Sequence, residues 1–578
     1  MAGATGSAGL LAGCSIFSSS GTSPPRQSKT TSSGTPPQSP TQTTNPPATP
    51  ENSSEPDYRN DIEFDRVVNG VEDLGMDPTG NEPIDSQLDA VLKDGTLLTL
   101  PPGQYLTTER HTVEHIERWG IRGIGDSRSE TRILPPEGAG LFFLNVRSGR
   151  DVLVQNLTFD VRPGRHEWLN NTFKLSDGLR LQNVEYVGFY ASEVTGKKIK
   201  PSSNITGPLH LHVTSPNGVG RVDTLVRRGP THHAAYPNGT SCLFVGGDST
   251  VGTLEIKNSH IENMSSHGVY ASRTRGAIQI ENTTFKNNNG AGCRISGPNS
   301  YVRDSVFVMD ADQAVPGTIG KRFNSMTSAM WFESGFRTQA GGRMVDCEVR
   351  MGRVPDRTRG IEVDGSAGRT TIENTTVTLD GGVVRPIDIN QPGREGARVR
   401  TQGSVPPTPR VTLKGVTVTG HAPGPGGAID IVGRPGCTLR DCRVEVSGRG
   451  EAISLRGTNR YLLSESEVRL TGTGTGTGVS IQNSAGGRID STSIVAPEYP
   501  LVVVNDGSSD ACPVRITGKS AFQSSMERPD GDAVFDHEFV ALGDGGCLDL
   551  AARRRAVTGF RVVSIGNDSA ELIPVGTK

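Results

Sequence analysis

The sequence predicts an all-β chain: a single-stranded right-handed parallel β-helix with an N-terminal helix cap and a small C-terminal cap. Three observations predict it. A six-residue unit recurs along most of the 578 residues. Its copies stand one solenoid coil apart. A total of 73 Gly and 37 Pro against 5 % aromatic residues favours turns over helices. A formal net charge of -3 gives no reason to expect nucleic acid as a partner.

Residues 1–17 are small and apolar and run into Leu11-Ala12-Gly13-Cys14. This resembles a lipobox, whose cysteine is lipidated and becomes the new N-terminus. It implies export, a cell-surface location and attachment to the membrane through Cys14. A secretory signal also carries a basic n-region, and none precedes residue 10. The segment resembles the end of a twin-arginine lipoprotein signal, as in haloarchaeal surface proteins. An archaeal source and a start upstream of Met1 are therefore expected. Residues 18–58 are dominated by Ser, Thr, Pro, Gly and Gln, too polar to offset the entropy of ordering. They read as a disordered stalk. No apolar run of ~20 residues exists to span a membrane.

Residues 59–130 read as a cap and the first coils. Asp77-Pro78-Thr79-Gly80 makes a turn. Residues 83–92 read as a short helix with Ile84, Leu88, Val91 and Leu92 on one face. Gly95–Tyr105 then gives strand, Pro-Gly turn and strand. This block is similar to the N-terminal cap of pectate-lyase-like β-helix proteins and phage tailspikes. The resemblance covers residues 67–108 and implies a pectin-lyase-like solenoid, with no implication for activity.

Residues 131–525 carry the repeat: apolar, any, Asn or Asp, any, any, apolar. Clear copies start at Val154, Leu181, Ile256, Ile280, Val302, Ile372 and Leu439, and degenerate ones at Met344, Leu413, Leu463 and Ile489. The steps 256 to 280, 280 to 302, 413 to 439 and 439 to 463 are 24, 22, 26 and 24 residues. Such a period fits three short strands and three turns. The small polar residue marks a bend and can bond to the neighbouring coil. Longer steps imply insertions near 196–240, 310–326 and 391–410, where function is expected. Residues 526–578 read as a capping element that closes the solenoid.

A second strand recurs in each coil, and its alternate residues form an outward row: Tyr270, Arg294, Trp331, Glu362, Asp388 and Asp430. Glu333, Asp364 and Asn390 occupy a neighbouring position, and His267, Arg359 and Arg385 lie where the chain enters the strand. Aromatic rings stack on sugars, and arginine pairs with uronate carboxylates. Paired carboxylates suit glycoside hydrolysis, and a base beside arginine suits proton abstraction α to a uronate. The expected catalytic set is Glu333, Glu362, Asp364, Asp388, Arg294 and His267. The expected substrate-binding set is Tyr270, Trp331, Arg359, Arg385, Asn390 and Asp430. The function expected is a lyase or hydrolase of acidic polysaccharide, and the alternative is a non-catalytic glycan-binding or structural surface lipoprotein.

His267-Gly268 is similar to the Gly-His-Gly of polygalacturonase-type hydrolases. That family's Asn-Thr-Asp, Asp-Asp and Arg-Ile-Lys are absent, so none of its catalytic residues is carried over. His232-His233 with Asp248 lacks further ligands, so no metal site is assigned. No cofactor is expected, with room left for Ca²⁺, and the chain is expected to be a monomer. The eight cysteines form no C-x-x-C pair. Apart from Cys14, those at apolar strand positions read as small core residues.

Overall fold

The computed structural model describes residues 62–574 outside 138–139, 163–167, 189–207, 230, 232–240, 247–248, 298, 315–326, 335–339, 356–357, 381–384, 394–408, 422–426, 473–475, 498, 505–513, 519, 525–559 and 565–568. The chain divides into two units, Met1–Asp61 and Ile62–Lys578, and every described residue belongs to the second. Cys14, the stalk, and His232, His233 and Asp248 lie outside the described residues.

The second unit is a right-handed parallel β-helix, with strands arranged in sheets of 29 and 16. A representative coil runs through strands Ala277–Glu281, Thr284–Lys286 and Ala291–Ile295 before Tyr301–Arg303 opens the next. Each strand pairs in parallel with its counterpart one coil away. The repeat explains this arrangement. Its first apolar residue forms one unbroken interior row, as in Val154–Leu181–Val222–Ile256–Ile280–Val302. The row continues through Met344, Ile372, Leu413, Leu439, Leu463 and Ile489. These side chains are buried, each contributing roughly 1.5–3 kcal/mol of apolar transfer.

The polar third residue of the repeat makes the bend between the first two strands. Asn156, Asn183, Asn258, Asn282, Asp304, Asp346, Asn374 and Asp441 all have φ between 45° and 53°. Asn and Asp adopt this left-handed region more readily than other side-chain-bearing residues. Their side chains also link coils: Asn282 Nδ2 donates to Asn258 Oδ1 at 2.8 Å, and Asn183 Nδ2 to Asn156 Oδ1 at 2.8 Å. Gly415, Glu465 and Ser491 fill the same position in degenerate copies, also at positive φ.

The expected insertion at 196–240 needs correction. Part of it is a further coil, in which Val222 keeps the apolar position while Thr224 replaces the usual Asn or Asp, with φ 56°. The bend survives, but threonine concealed it in the sequence.

The helix spans Asp85–Val91, with Ile84, Leu88 and Val91 buried in the core and Leu92 only partly so. Trp119 Nε1 donates to the Val91 carbonyl at 3.0 Å, fastening the helix end to the first coils. At the other end, Phe560–Ser564 and Ser569–Pro574 form an antiparallel hairpin against Tyr499–Val504. Cys242, Cys293, Cys347, Cys437 and Cys442 are free and buried, as core residues would be. Among the described residues, no helix is long and apolar enough to cross a membrane.

Candidate functional site

The second strands stack as β1 (His267–Arg273), β2 (Ala291–Ile295), β3 (Ser328–Phe332), β4 (Arg359–Val363), β5 (Arg385–Ile389), β6 (Ile429–Val432) and β7 (Gly450–Arg456). Their register brings the expected row together: Tyr270 opposes Arg294, then Trp331, Glu362, Asp388 and Asp430, and finally Ser454. Apolar alternation fixes this register, because a one-residue slip would turn every inward Ile and Val outward. Glu333, Asp364 and Asn390 follow β3, β4 and β5, and Asp364 N–H donates to the Phe332 carbonyl at 2.9 Å, continuing the stack.

Exposure of the row needs correction. Arg294, Trp331, Glu333, Glu362, Asp364, Asp388 and Asp430 are all buried. The partly exposed rim is Tyr270, Arg359, Arg385 and Asn390. The physical reason is rung-to-rung ion pairing, which lets opposite charges cover each other. Arg294 Nε donates to Glu333 Oε2 at 2.6 Å. Arg359 Nε bonds Asp388 Oδ2, and Arg385 Nη1 lies 3.4 Å from the same carboxylate. Arg456 Nε donates to Asp430 Oδ1 at 3.3 Å.

The row divides into two parts. At the aromatic end, the Arg294 guanidinium lies 4.7 Å from the Tyr270 ring centre and 4.1 Å from that of Trp331, cation–π contacts on both sides. His267 stacks on Tyr270 at 4.8 Å, and its Nδ1 lies 2.8 Å from Ser266 Oγ. Burial, then Arg294 and Arg273, hold this imidazole well below the usual histidine range. Its place is therefore a neutral ring in an aromatic stack, and the described ring contacts place it with Tyr270 and Trp331.

At the carboxylate end, burial pushes Glu362 up to about 7, against the opposing pull of Arg359 and of the Ser328 hydroxyl, which donates to Oε2 at 2.6 Å. Asp430 is pushed up to about 6, again mainly by burial. Asp364 is raised by burial and by Glu333, although Ser366 N–H and Oγ–H donate to its Oδ1 at 2.8 and 2.7 Å. Two groups that exchange protons near neutrality thus flank Asp388. Such divergence between neighbouring carboxyls is what acid/base chemistry requires.

Sequence reasoning missed five contributors. Ser328 and Arg456 lie within the strands but reach a rung that pairing alone does not reveal. Arg434 is buried and donates to the carbonyls of Asp364 (2.7 Å), Asn390 (2.8 Å), Ala367 (2.8 Å) and Pro409 (3.1 Å). It thereby clamps the turns that carry Asp364 and Asn390. Burial pushes it down to about 10, so it stays cationic at neutral pH. Phe244 and His210 extend the row one and two rungs before Tyr270, and the Asp/Asn spacing did not reach those coils.

No group of three or more His, Cys, Asp or Glu among the described residues is arranged to hold a metal ion. Of the insertions expected near 310–326 and 391–410, residues 315–326 and 394–408 lie outside the described residues.

A family model described as a right handed beta helix region matches residues 241–384. No match is found among curated proteins. Solved structures similar to this chain include the mannuronan C-5 epimerase AlgE6 A-module of Azotobacter vinelandii, at 13 % identity over 78 % of this chain and 94 % of that one, TM-score 0.35. Pectate lyase Pel9A is similar at 12 % identity over 74 % and 80 %, TM-score 0.28. The surface adhesin PfbA of Streptococcus pneumoniae is similar at 12 % identity over 88 % and 100 %, TM-score 0.32.

Proposed function

We propose that this chain is a cell-surface β-helix protein that cleaves acidic polysaccharide at the row from Arg294 to Asp430. One observation carries the reading: Glu362, pushed up to about 7, stands one rung from an Asp388 carboxylate held by Arg359 and Arg385. The half-buried arginines at the rim would receive a uronate carboxylate. Glu362 would act as the acid that protonates the departing glycosidic oxygen. In an elimination, Asp388 takes the proton α to the uronate carboxyl, that electron pair forms the carbon–carbon double bond, and the C–O bond breaks toward the oxygen protonated by Glu362. In a hydrolysis, Asp388 serves as base toward water or as nucleophile.

The test incubates the purified chain with a panel of uronate-rich polysaccharides, with and without Ca²⁺. Absorbance of unsaturated uronate reports elimination, and new reducing ends report hydrolysis. Neither signal across the panel overturns the reading. The second reading is non-catalytic glycan binding. It is favoured by the way three of the carboxylates are matched to arginines: Arg294 to Glu333, Arg359 to Asp388, Arg456 to Asp430. Binding without either product would select it.

The location proposed is the cell surface, through a lipid on Cys14. Acyl labelling of the native protein, lost in Cys14→Ser, tests this. An unlabelled native protein removes the anchor from the proposal.

A further inference from the structure

Two polar atoms at the aromatic end are buried without a hydrogen-bond partner among the described residues: Trp331 Nε1, a donor, and Glu333 Oε1, an acceptor. Such groups are rare in folded proteins, because each forfeits its hydration and regains nothing. They lie two residues apart in the chain, and one guanidinium touches both side chains. Arg294 lies over the Trp331 ring at 4.1 Å and donates to the other carboxylate oxygen, Glu333 Oε2, at 2.6 Å. Ser272 Oγ–H also donates to Oε2, at 2.8 Å. Oε2 is therefore satisfied twice and Oε1 not at all.

A donor and an acceptor on side chains that share one guanidinium are complementary to a hydroxyl, which accepts from one and donates to the other. They are poorly complementary to a second carboxylate, which offers Glu333 no proton. The Arg294 charge is already matched by Glu333, so an arriving anion would have to compete with that carboxylate for it. The arginines that line the rim, Arg359 and Arg385, stand on the other side of this point, at the coils of Glu362 and Asp388.

We propose that Trp331 and Glu333 form a subsite for a hydroxyl of an uncharged sugar residue, one rung from Glu362, while the neighbouring sugar toward Arg359 and Arg385 is a uronate. This rests on the function proposed above and narrows its substrate: a heteropolymer in which uronate adjoins neutral sugar, rather than a pure polyuronate.

The experiment titrates the full chain, by calorimetry, with an alternating glucuronate–hexose hexasaccharide and with hexagalacturonate. The wild type is expected to prefer the alternating probe. Trp331→Phe removes the N–H and keeps a ring for Arg294. It is expected to weaken the alternating probe about tenfold, the effect of one lost buried hydrogen bond, and to weaken hexagalacturonate less. Equal effects on both probes, or none on the alternating probe, overturn the subsite. Should Trp331→Phe not fold, alternating probes lacking one hydroxyl at a time test the same bond from the ligand side. One deoxy position on the neutral sugar should weaken wild-type binding about tenfold, and indifference at every position overturns the proposal. If the wild type neither binds nor cleaves either acidic probe, the parent reading falls as well. If it handles both alike, only the subsite falls.

Discussion

Arg359 on one coil bonds the Asp388 carboxylate on the next, and Asp388 is 1 % exposed. Replacing Arg359 with Ala leaves a buried carboxylate whose nearest described cation is Arg385 at 3.4 Å. Removing one partner of a buried pair costs about 3 kcal/mol. A drop of that size in denaturant resistance is expected for Arg359→Ala. Most of it should return in the double variant Arg359→Met with Asp388→Leu, which buries no charge at that pair. A double variant as unstable as the single one would show that the ion pair is not the cause.

Stability should fall as pH rises through the range set by Glu362. Its folded value, about 7, lies above the ~4.3 of an exposed glutamate. The fold therefore favours the protonated form. That contribution is complete below about pH 4 and is lost as pH climbs through about 7, amounting to about 4 kcal/mol. Glu362→Gln cannot ionise, so its stability relative to the wild type should increase between pH 5 and pH 8. Parallel pH profiles for the two proteins would refute the assignment. Under the catalytic reading, the same variant should lose kcat by roughly 10²–10⁴-fold, with KM little changed.

Arg434 donates to four backbone carbonyls in three stretches of chain, Asp364 and Ala367 of one turn, Asn390, and Pro409. Arg434→Met leaves those oxygens buried without it, at ~1 kcal/mol or more each. A loss of about 4 kcal/mol is expected, the upper end of what single substitutions do. Hydrogen exchange should quicken first at Asp364, Ala367 and Asn390. Uniform exchange along the whole solenoid would contradict a local clamp.

The bend at Asn282, with φ 45° and a hydrogen bond to Asn258, separates two effects. Asn282→Gly keeps the backbone and loses only the hydrogen bond, about 1 kcal/mol. Asn282→Ala adds left-handed strain of ~1 kcal/mol. The expected order of thermal stability is wild type, Gly, Ala, and an Ala variant at least as stable as Gly would sink the argument.

The row Tyr270–Arg294–Trp331–Glu362–Asp388–Asp430 was legible because two local signals suffice for it. The Asn and Asp bends mark where each coil begins, and period-two alternation decides which side chains face in. The coil at Val222 escaped because Thr224 takes the bend without announcing it. Burial and partnership of the row were not legible either. Whether Arg456 reaches Asp430, or Ser328 reaches Glu362, depends on side-chain rotamers and turn lengths that have no sequence period. Arg434 reads as an ordinary loop arginine in Gly433-Arg434-Pro435, and only the stacked turns give it four acceptors.

The unbroken interior row has a consequence for inheritance. Strand pairing joins each coil only to the coil before and the coil after, so whole coils are the natural unit of gain and loss. Excising the 26 residues from Leu463 to Arg488 would set Ile489 beside Leu439, apolar against apolar, and leave everything from Tyr270 to Ser454 in place. Excising 25 would reverse the facing of the next strand. Genetic change in this molecule is thus tolerated in steps of a full turn and resisted in steps of one codon.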